Sequence, residues 1–392
     1  MVELIISGPR IYTEQGVLHH FAMVIRNTQI SHIDRKEKIV AMHDTSYLEF
    51  PENYHLIPGC IDVHIHGQQG KDVMDSTEQS LEQISVALAQ TGVTAFLATT
   101  MTARPNEIEN VLHCICQFKQ KGHPNRGATL LGVHLEGPFI SAQKAGAQSA
   151  GKVLLPNVDY LKKWQAISGR AIKLVTLAPE LTNSLELIRF LQQENIVASI
   201  GHTDATYEQT LKGMNAGCCH VTHLFNAMRG MHQREPGVVT AALLSNKVSV
   251  ELIADGVHLH PAMIELTLKL KQQDKIILIT DAMCAAGLGD GQYQLGGQAV
   301  IVKQGIATLA DGTLAGSTLS MITAIQHMMQ FTKSSLSDVI PYASANPAKL
   351  LNLFQHKGSI APGKDADLVV LDEQYRVVLT LVSGQIVFKK AP

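Results

Sequence analysis

Neither sign of charge is in excess in this 392-residue chain: 32 Lys and Arg stand against 34 Asp and Glu, a net −2. No basic surplus is available to neutralise a phosphate backbone, so nucleic-acid binding is not expected. No run approaches the ~18 apolar residues of a membrane span, and the opening MVELIISGPR is too short and too acidic for a signal peptide. The six cysteines form neither a CxxC pair nor a disulfide framework, which fits a reducing cytoplasm. Cys114 and Cys116 are two apart on a helical stretch and do not face each other. Cys218 and Cys219 read as strand core. Aromatic residues make up only 5%, and the single tryptophan, Trp164, reads as a packing residue.

Histidine, by contrast, is abundant: the chain has 18. Several histidines end apolar runs. Eight such runs alternate with helical stretches: Leu56–Val63, Gly92–Thr100, Ala128–Leu135, Ala171–Ala178, Ile196–Ile200, Cys218–Thr222, Val248–Ala254 and Lys275–Thr280. Each is nearly continuous in apolar residues, as parallel strands buried on both faces should be. Between them, Ser76 with Gln79 reads as a capping box ahead of Leu81, Ile84 and Leu88. Ile108, Val111, Leu112 and Ile115 repeat with helical spacing, and Pro261 suits a first helical position. The expected fold is α/β, a (β/α)8 barrel over residues 56–357. Residues 1–55 and 358–392 carry short β-like pieces, among them Val2–Ser7, Phe21–Ile25, Ala366–Leu371 and Gln385–Phe388. They are expected to build one small β-sandwich domain from both chain ends. Gly291–Leu309 reads as an inserted hairpin.

His64 and His66 end the first run, two residues apart. A strand has a side-chain period of two, so both imidazoles project to one face and can share a metal. Glu136 ends the third run, with His134 two residues before it. A carboxylate there is costly unless paired or bound to metal. His202, His223 and Asp281 end the fifth, sixth and eighth runs, and His258 follows the seventh. Active sites of this barrel sit at that end. Imidazoles with a carboxylate suit zinc or a similar divalent ion, which turns bound water into a nucleophile at neutral pH. Asp281 can take the water proton and later deliver it to a leaving group. The expected chemistry is metal-assisted hydrolysis.

PGCIDVHIHG with a strand-eight aspartate resembles the amidohydrolase superfamily. HLEGPF (134–139), LAPE (177–180), GHTDA (201–205), THLFNAM (222–228), REPG (234–237), ADGVH (254–258), TDAM (280–283) and LAGS (314–317) are similar, within it, to the N-acetylglucosamine-6-phosphate deacetylases. The resemblance implies metal ligation by Glu136, His202 and His223, catalysis by Asp281, and a second metal at His64 and His66 bridged through Glu136. The ion would be zinc, or else iron, cobalt or manganese, at one or two per subunit. Ala147, Gln148, Asn226, Ala227, Asp255, His258, Leu314, Ala315 and Gly316 would bind substrate. Arg234 would grip the sugar phosphate of a neighbouring subunit, so a homodimer is implied. Gln148 stands where some members carry a histidine that polarises the carbonyl. Strand four ends in Ala178–Pro179–Glu180, with Lys173 near its start, which argues against the subclasses bridged by a carboxylated lysine. The motifs barely discriminate the galacto epimer. A non-catalytic relative is disfavoured, because every ligand and Asp281 are present.

Overall fold

A computed structural model describes residues 3–40, 45–122 and 126–391. Eight parallel strands make one sheet: β1 (Cys60–Ile65), β2 (Val93–Thr100), β3 (Thr129–Glu136), β4 (Ile172–Leu177), β5 (Val197–Ile200), β6 (His220–Val221), β7 (Ser249–Ile253) and β8 (Ile276–Ile279). Each pairs with the next in chain order. Just past the strand ends, the Asp281 N–H donates to His64 O at 2.9 Å, and the His66 N–H to Ala282 O at 2.9 Å. These bonds draw the two outer strands of the sheet into a (β/α)8 barrel. All eight residues of β2 are buried, as its unbroken apolar run requires.

The outer ring is α1 (Glu78–Gln90), α2 (Pro105–Gln120), α3 (Val158–Ile167), α4 (Ser184–Gln193), α5 (Tyr207–Ala216), α6 (Gly237–Leu244), α7 (Pro261–Leu270) and α8 (Met321–Thr332). Leu81, Ile84 and Leu88 of α1 face the barrel, as do Ile108, Val111, Leu112 and Ile115 of α2. The cap of α1 is Thr77, one residue later than expected, whose hydroxyl accepts from the Ser80 N–H at 3.1 Å. Ser76 instead takes a left-handed turn at φ 56°. Pro261 does open α7. Trp164 is fully buried against the Phe139 and Tyr160 rings.

The first apolar run serves two sheets rather than one. His55–Pro58 pairs with Leu368–Leu371 and Arg10–Thr13, and only Cys60–Ile65 joins the barrel. Gly59 is the break. A Cβ there would overlap the Thr94 side chain, and its N–H donates to Asp367 O at 2.8 Å. Cys218 and Cys219 precede β6 instead of lying in it. The terminal pieces form a four-stranded sheet ordered Gln29–Arg35, Phe21–Arg26, Glu3–Ser7, Ser46–Glu49. A six-stranded sheet mixes both ends of the chain, with Gln385–Lys389, Val377–Val382 and Leu368–Leu371 beside His55–Pro58, Arg10–Thr13 and Gly16–Leu18. Ile6, Met23 and Ile25 of the first meet Ile11, Leu368 and Leu379 of the second in one apolar layer. Val2 lies outside the described residues. The insertion after β8 is a three-stranded sheet, Gly291–Leu295, Gln298–Lys303 and Ile306–Thr308, one strand more than a hairpin.

Candidate metal centre

The barrel interior near its C-terminal mouth is polar. His64 lies on β1 and His66 just past it, and Glu136 is the last residue of β3. His202, His223 and Asp281 each stand two residues beyond a strand, with φ of 46°, 29° and 48°. A non-glycine residue in this region costs of order 1–3 kcal/mol, and such strain gathers at functional sites. Here the left-handed turn points the side chain back over the barrel axis, where a continuing strand would carry it onward.

Two groups of donors result. In the first, His202 Nε2 and His223 Nε2 lie 3.0 Å apart and face Glu136 Oε1 at 3.1 and 3.3 Å. In the second, His64 Nε2 and His66 Nε2 face Asp281 Oδ1 at 3.3 and 3.2 Å. Glu136 joins them: Oε1 is 3.4 Å from His64 Nε2, and Oε2 is 3.2 Å from His66 Nε2. Both triads fit a metal ion. Bonds of ~2.0–2.1 Å to a tetrahedral zinc put donor atoms roughly 3.3 Å apart, close to the spacings here. His64 Nε2 is buried and makes no hydrogen bond, as a nitrogen reserved for a cation would be.

The other ring nitrogens set the tautomers. His202 Nδ1 meets Lys144 O at 3.0 Å and His66 Nδ1 meets Thr99 O at 3.3 Å. A carbonyl only accepts, so Nδ1 carries the proton and Nε2 is left for a metal. Gln148 anchors Glu136. Its Nε2–H donates to Glu136 Oε2 at 2.6 Å, and its Oε1 accepts the Thr102 N–H at 2.6 Å.

The field of the site favours cations. Burial opposes the His64 cation, but the Glu136, Asp281 and Glu251 carboxylates outweigh it and hold that imidazole well above its ordinary pKa. Burial likewise opposes the His66 cation, and hydrogen bonds to Asp281 and Glu136 raise it to about 9. Burial favours the acid forms of Glu136 and Asp281, yet the histidines around them keep both carboxyls below the usual range. A cluster that holds protons this firmly also attracts a divalent ion.

A cavity of about 240 Å³ opens onto the donors. Ala147, Gln148, Asn226, Ala227, His258, Leu314 and Gly316 line it, together with Glu136, His66, His202, His223 and Asp281. Three of the expected substrate residues are not on its wall. Ala315 is fully buried between two residues that are. Asp255 lines the adjoining cavity and accepts from His258 Nδ1 at 2.6 Å, so it orients that ring. Arg234 is exposed on the loop before α6. A larger cavity of about 770 Å³, between Gly70–Asp75 and the inserted sheet, contains none of the expected site residues.

Sequence reasoning missed Glu251 and His220. Glu251 sits fully buried on β7, 3.0 Å from His64 Nδ1 and 2.9 Å from His220 Nε2. A lone glutamate inside the apolar run VSVELIA was the available signal, since a buried carboxylate must be paired. His134, already placed inward, packs 4.5 Å from the His64 ring and meets Thr176 Oγ1 at 2.7 Å. Burial and then the His64 charge hold His134 well below its ordinary pKa, so it stays neutral.

Residues 55–387 match the amidohydrolase family. The chain belongs to that family. The family uses a divalent metal, and the donor groups that could hold one in this member include these two triads. The chain is 43% identical over 386 residues to an N-acetylglucosamine-6-phosphate deacetylase of Bacillus subtilis, covering 98% of this chain and 97% of that one. It is 37% identical over 382 residues to an N-acetylgalactosamine-6-phosphate deacetylase of Escherichia coli O157:H7, covering 97% and 98%. Among solved structures, a mutant N-acetyl-D-glucosamine-6-phosphate deacetylase of Mycobacterium smegmatis, in complex with N-acetyl-D-glucosamine-6-phosphate, superposes with a TM-score of 0.92 at 29% identity, over 99% of this chain and 100% of that one. The Thermotoga maritima deacetylase superposes at 0.88 with 36% identity, over 98% and 100%. Among the described residues of this amidohydrolase, no helix is long and apolar enough to cross a membrane.

Proposed function

We propose that this amidohydrolase hydrolyses the acetamide of N-acetylglucosamine 6-phosphate to acetate and glucosamine 6-phosphate. The observation that carries the reading is the pair of donor triads joined by Glu136, beside a cavity lined by Asp281. Full-length similarity to deacetylases of that name supplies the substrate.

Glu136, His202 and His223 would hold one divalent ion, and His64, His66 and Asp281 a second. Such an ion acidifies water and polarises a carbonyl; zinc is the reading, with iron, cobalt or manganese as alternatives. Asp281 turns Oδ1 to the two imidazoles, which leaves Oδ2 to take the proton of the attacking water. The water oxygen bonds to the acyl carbon, the C–N bond breaks, and Asp281 returns the proton to the departing amine. Gln148 keeps one N–H free for the substrate carbonyl while the other holds Glu136. Asn226, Ala227 and His258, on the cavity wall, contact the sugar phosphate, with Asp255 steadying His258. Leu314, Ala315 and Gly316 form the loop that flanks the sugar. Arg234, exposed and outside the cavity, would reach the phosphate in a partner subunit, so the working unit would be a homodimer.

The second reading is the galacto epimer, favoured by the full-length similarity to a deacetylase of that name. The deciding experiment measures bound metal and amine release from N-acetylglucosamine 6-phosphate, its galacto epimer and the unphosphorylated sugar. Turnover of the first, with strong loss when the phosphate is absent, is the expected result. Faster turnover of the galacto epimer would move the protein to the second reading. No turnover of any of the three at full metal occupancy would overturn both.

A further inference from the structure

Glu251 stands in the middle of β7, fully buried, and each of its carboxylate oxygens is committed. Oε1 lies 2.9 Å from His220 Nε2, and His220 Nδ1 is held in turn at 2.7 Å by Ser249 Oγ. Oε2 lies 3.0 Å from His64 Nδ1 and accepts the backbone N–H of His223, also at 3.0 Å. A counter-ion for His220 alone needs only Oε1. The second oxygen instead touches one residue from each donor group. We propose that Glu251 is a positioning residue that couples the two groups. It holds the His64 proton on Nδ1, so that Nε2 faces the second ion, and the same oxygen pins the strained backbone of His223 at the first. A carboxylate behind a ligating imidazole fixes its tautomer and orientation and strengthens it as a donor. The inference rests on the two-ion reading of the centre.

A competing arrangement uses the same atoms. His64, His134 and Glu251 also place donors close enough to hold an ion. An ion there would take His64 through Nδ1, and Glu251 would be its ligand.

The test strips the full-length protein of metal and titrates it with Zn²⁺ against a chromophoric chelator, beside Glu251→Gln. The amide keeps the size of the side chain and loses its charge. The wild type should bind two ions. In Glu251→Gln the amide oxygen can still accept the His223 N–H, so the first ion should bind within threefold of the wild-type affinity, while the second, which loses the charge behind His64, should bind about 10–100-fold more weakly. Equal affinities in the two proteins would overturn the inference, and so would equal weakening of both ions, which marks a fold-wide effect. A wild type that binds a single ion would overturn the two-ion reading and this inference with it. None of these outcomes depends on the substrate. Should Glu251→Gln not fold, ¹⁵N spectra of the imidazoles in the zinc-loaded wild type decide. A protonated His64 Nδ1 with zinc on Nε2 supports the role; zinc on Nδ1 overturns it.

Discussion

His64 and His66 reach the mouth of the barrel on or just past an ordinary extended strand, whereas His202 and His223 reach it from left-handed residues beyond β5 and β6. The two donor groups share Glu136 and lie side by side, yet they are built by different means. The first uses strain, at two imidazoles whose backbone has no glycine to ease it. The second sets its two imidazoles by strand periodicity, which costs nothing locally, and takes strain only at Asp281, with φ 48°; it is where the proton affinity of the site gathers, with His66 raised to about 9. Divided construction of this kind lets one group change while the other persists, provided Glu136 stays.

Removing Glu136 should have the largest effect, because both groups lose a partner. Glu136→Ala should purify with neither ion and without measurable turnover, whereas His66→Ala should keep the first ion. Metal analysis of the two variants side by side checks this, and equal metal content in both would dissolve the distinction between the groups. Asp281→Asn should keep the first ion and lose about 10²–10⁴-fold in kcat, the usual worth of a general acid–base group. Steady-state kinetics on metal-loaded protein measures it, and retention of more than about a tenth of the rate would remove Asp281 from proton transfer.

The pH dependence sharpens the comparison further. In the metal-free protein the His66 proton is held up to about pH 9, so an ion entering that group must displace it at lower pH. Affinity for the second ion should therefore rise about tenfold per pH unit for each proton released as the pH climbs toward 9. Chelator competition at pH 6, 7 and 8 reads the slope. A flat profile would show that His66 is not displaced as a cation. Away from the mouth, Trp164→Ala should cost about 3–5 kcal/mol of stability through the cavity it leaves. Its kcat should stay within a factor of two, since Trp164 packs against Phe139 and Tyr160 rather than against the donors. Denaturant melts and kinetics on the same preparation test both halves.

Much of this was legible in the chain. Eight apolar runs with helical stretches between them argue for a barrel over a doubly wound open sheet, because strands buried on both faces suit either fold but an open sheet would not need eight. HxH at the end of a run places two imidazoles on one face without any knowledge of the rest. Other features were not legible for stated reasons. Gly59 splits the first run between two sheets because Thr94 crowds it, a contact made by a residue 35 positions away. The α1 cap fell on Thr77 because either of two adjacent hydroxyl residues can cap, and the turn at Ser76 decided between them. Ala315, Asp255 and Arg234 were placed by resemblance, and a motif marks a segment without telling which side chain faces the cavity.

By itself, then, the sequence determined the strand count, the outer helices and the identities of the chemical groups, because these follow from local periodicity and residue type. Resemblance implied that Glu136 would join the two groups, and only the tertiary structure decided that Gln148 would hold it. The tertiary structure alone also set one carboxylate of β7 behind both groups. Those relations join residues up to 187 positions apart. They arise from the closure of a barrel, in which every strand end meets the others at one mouth.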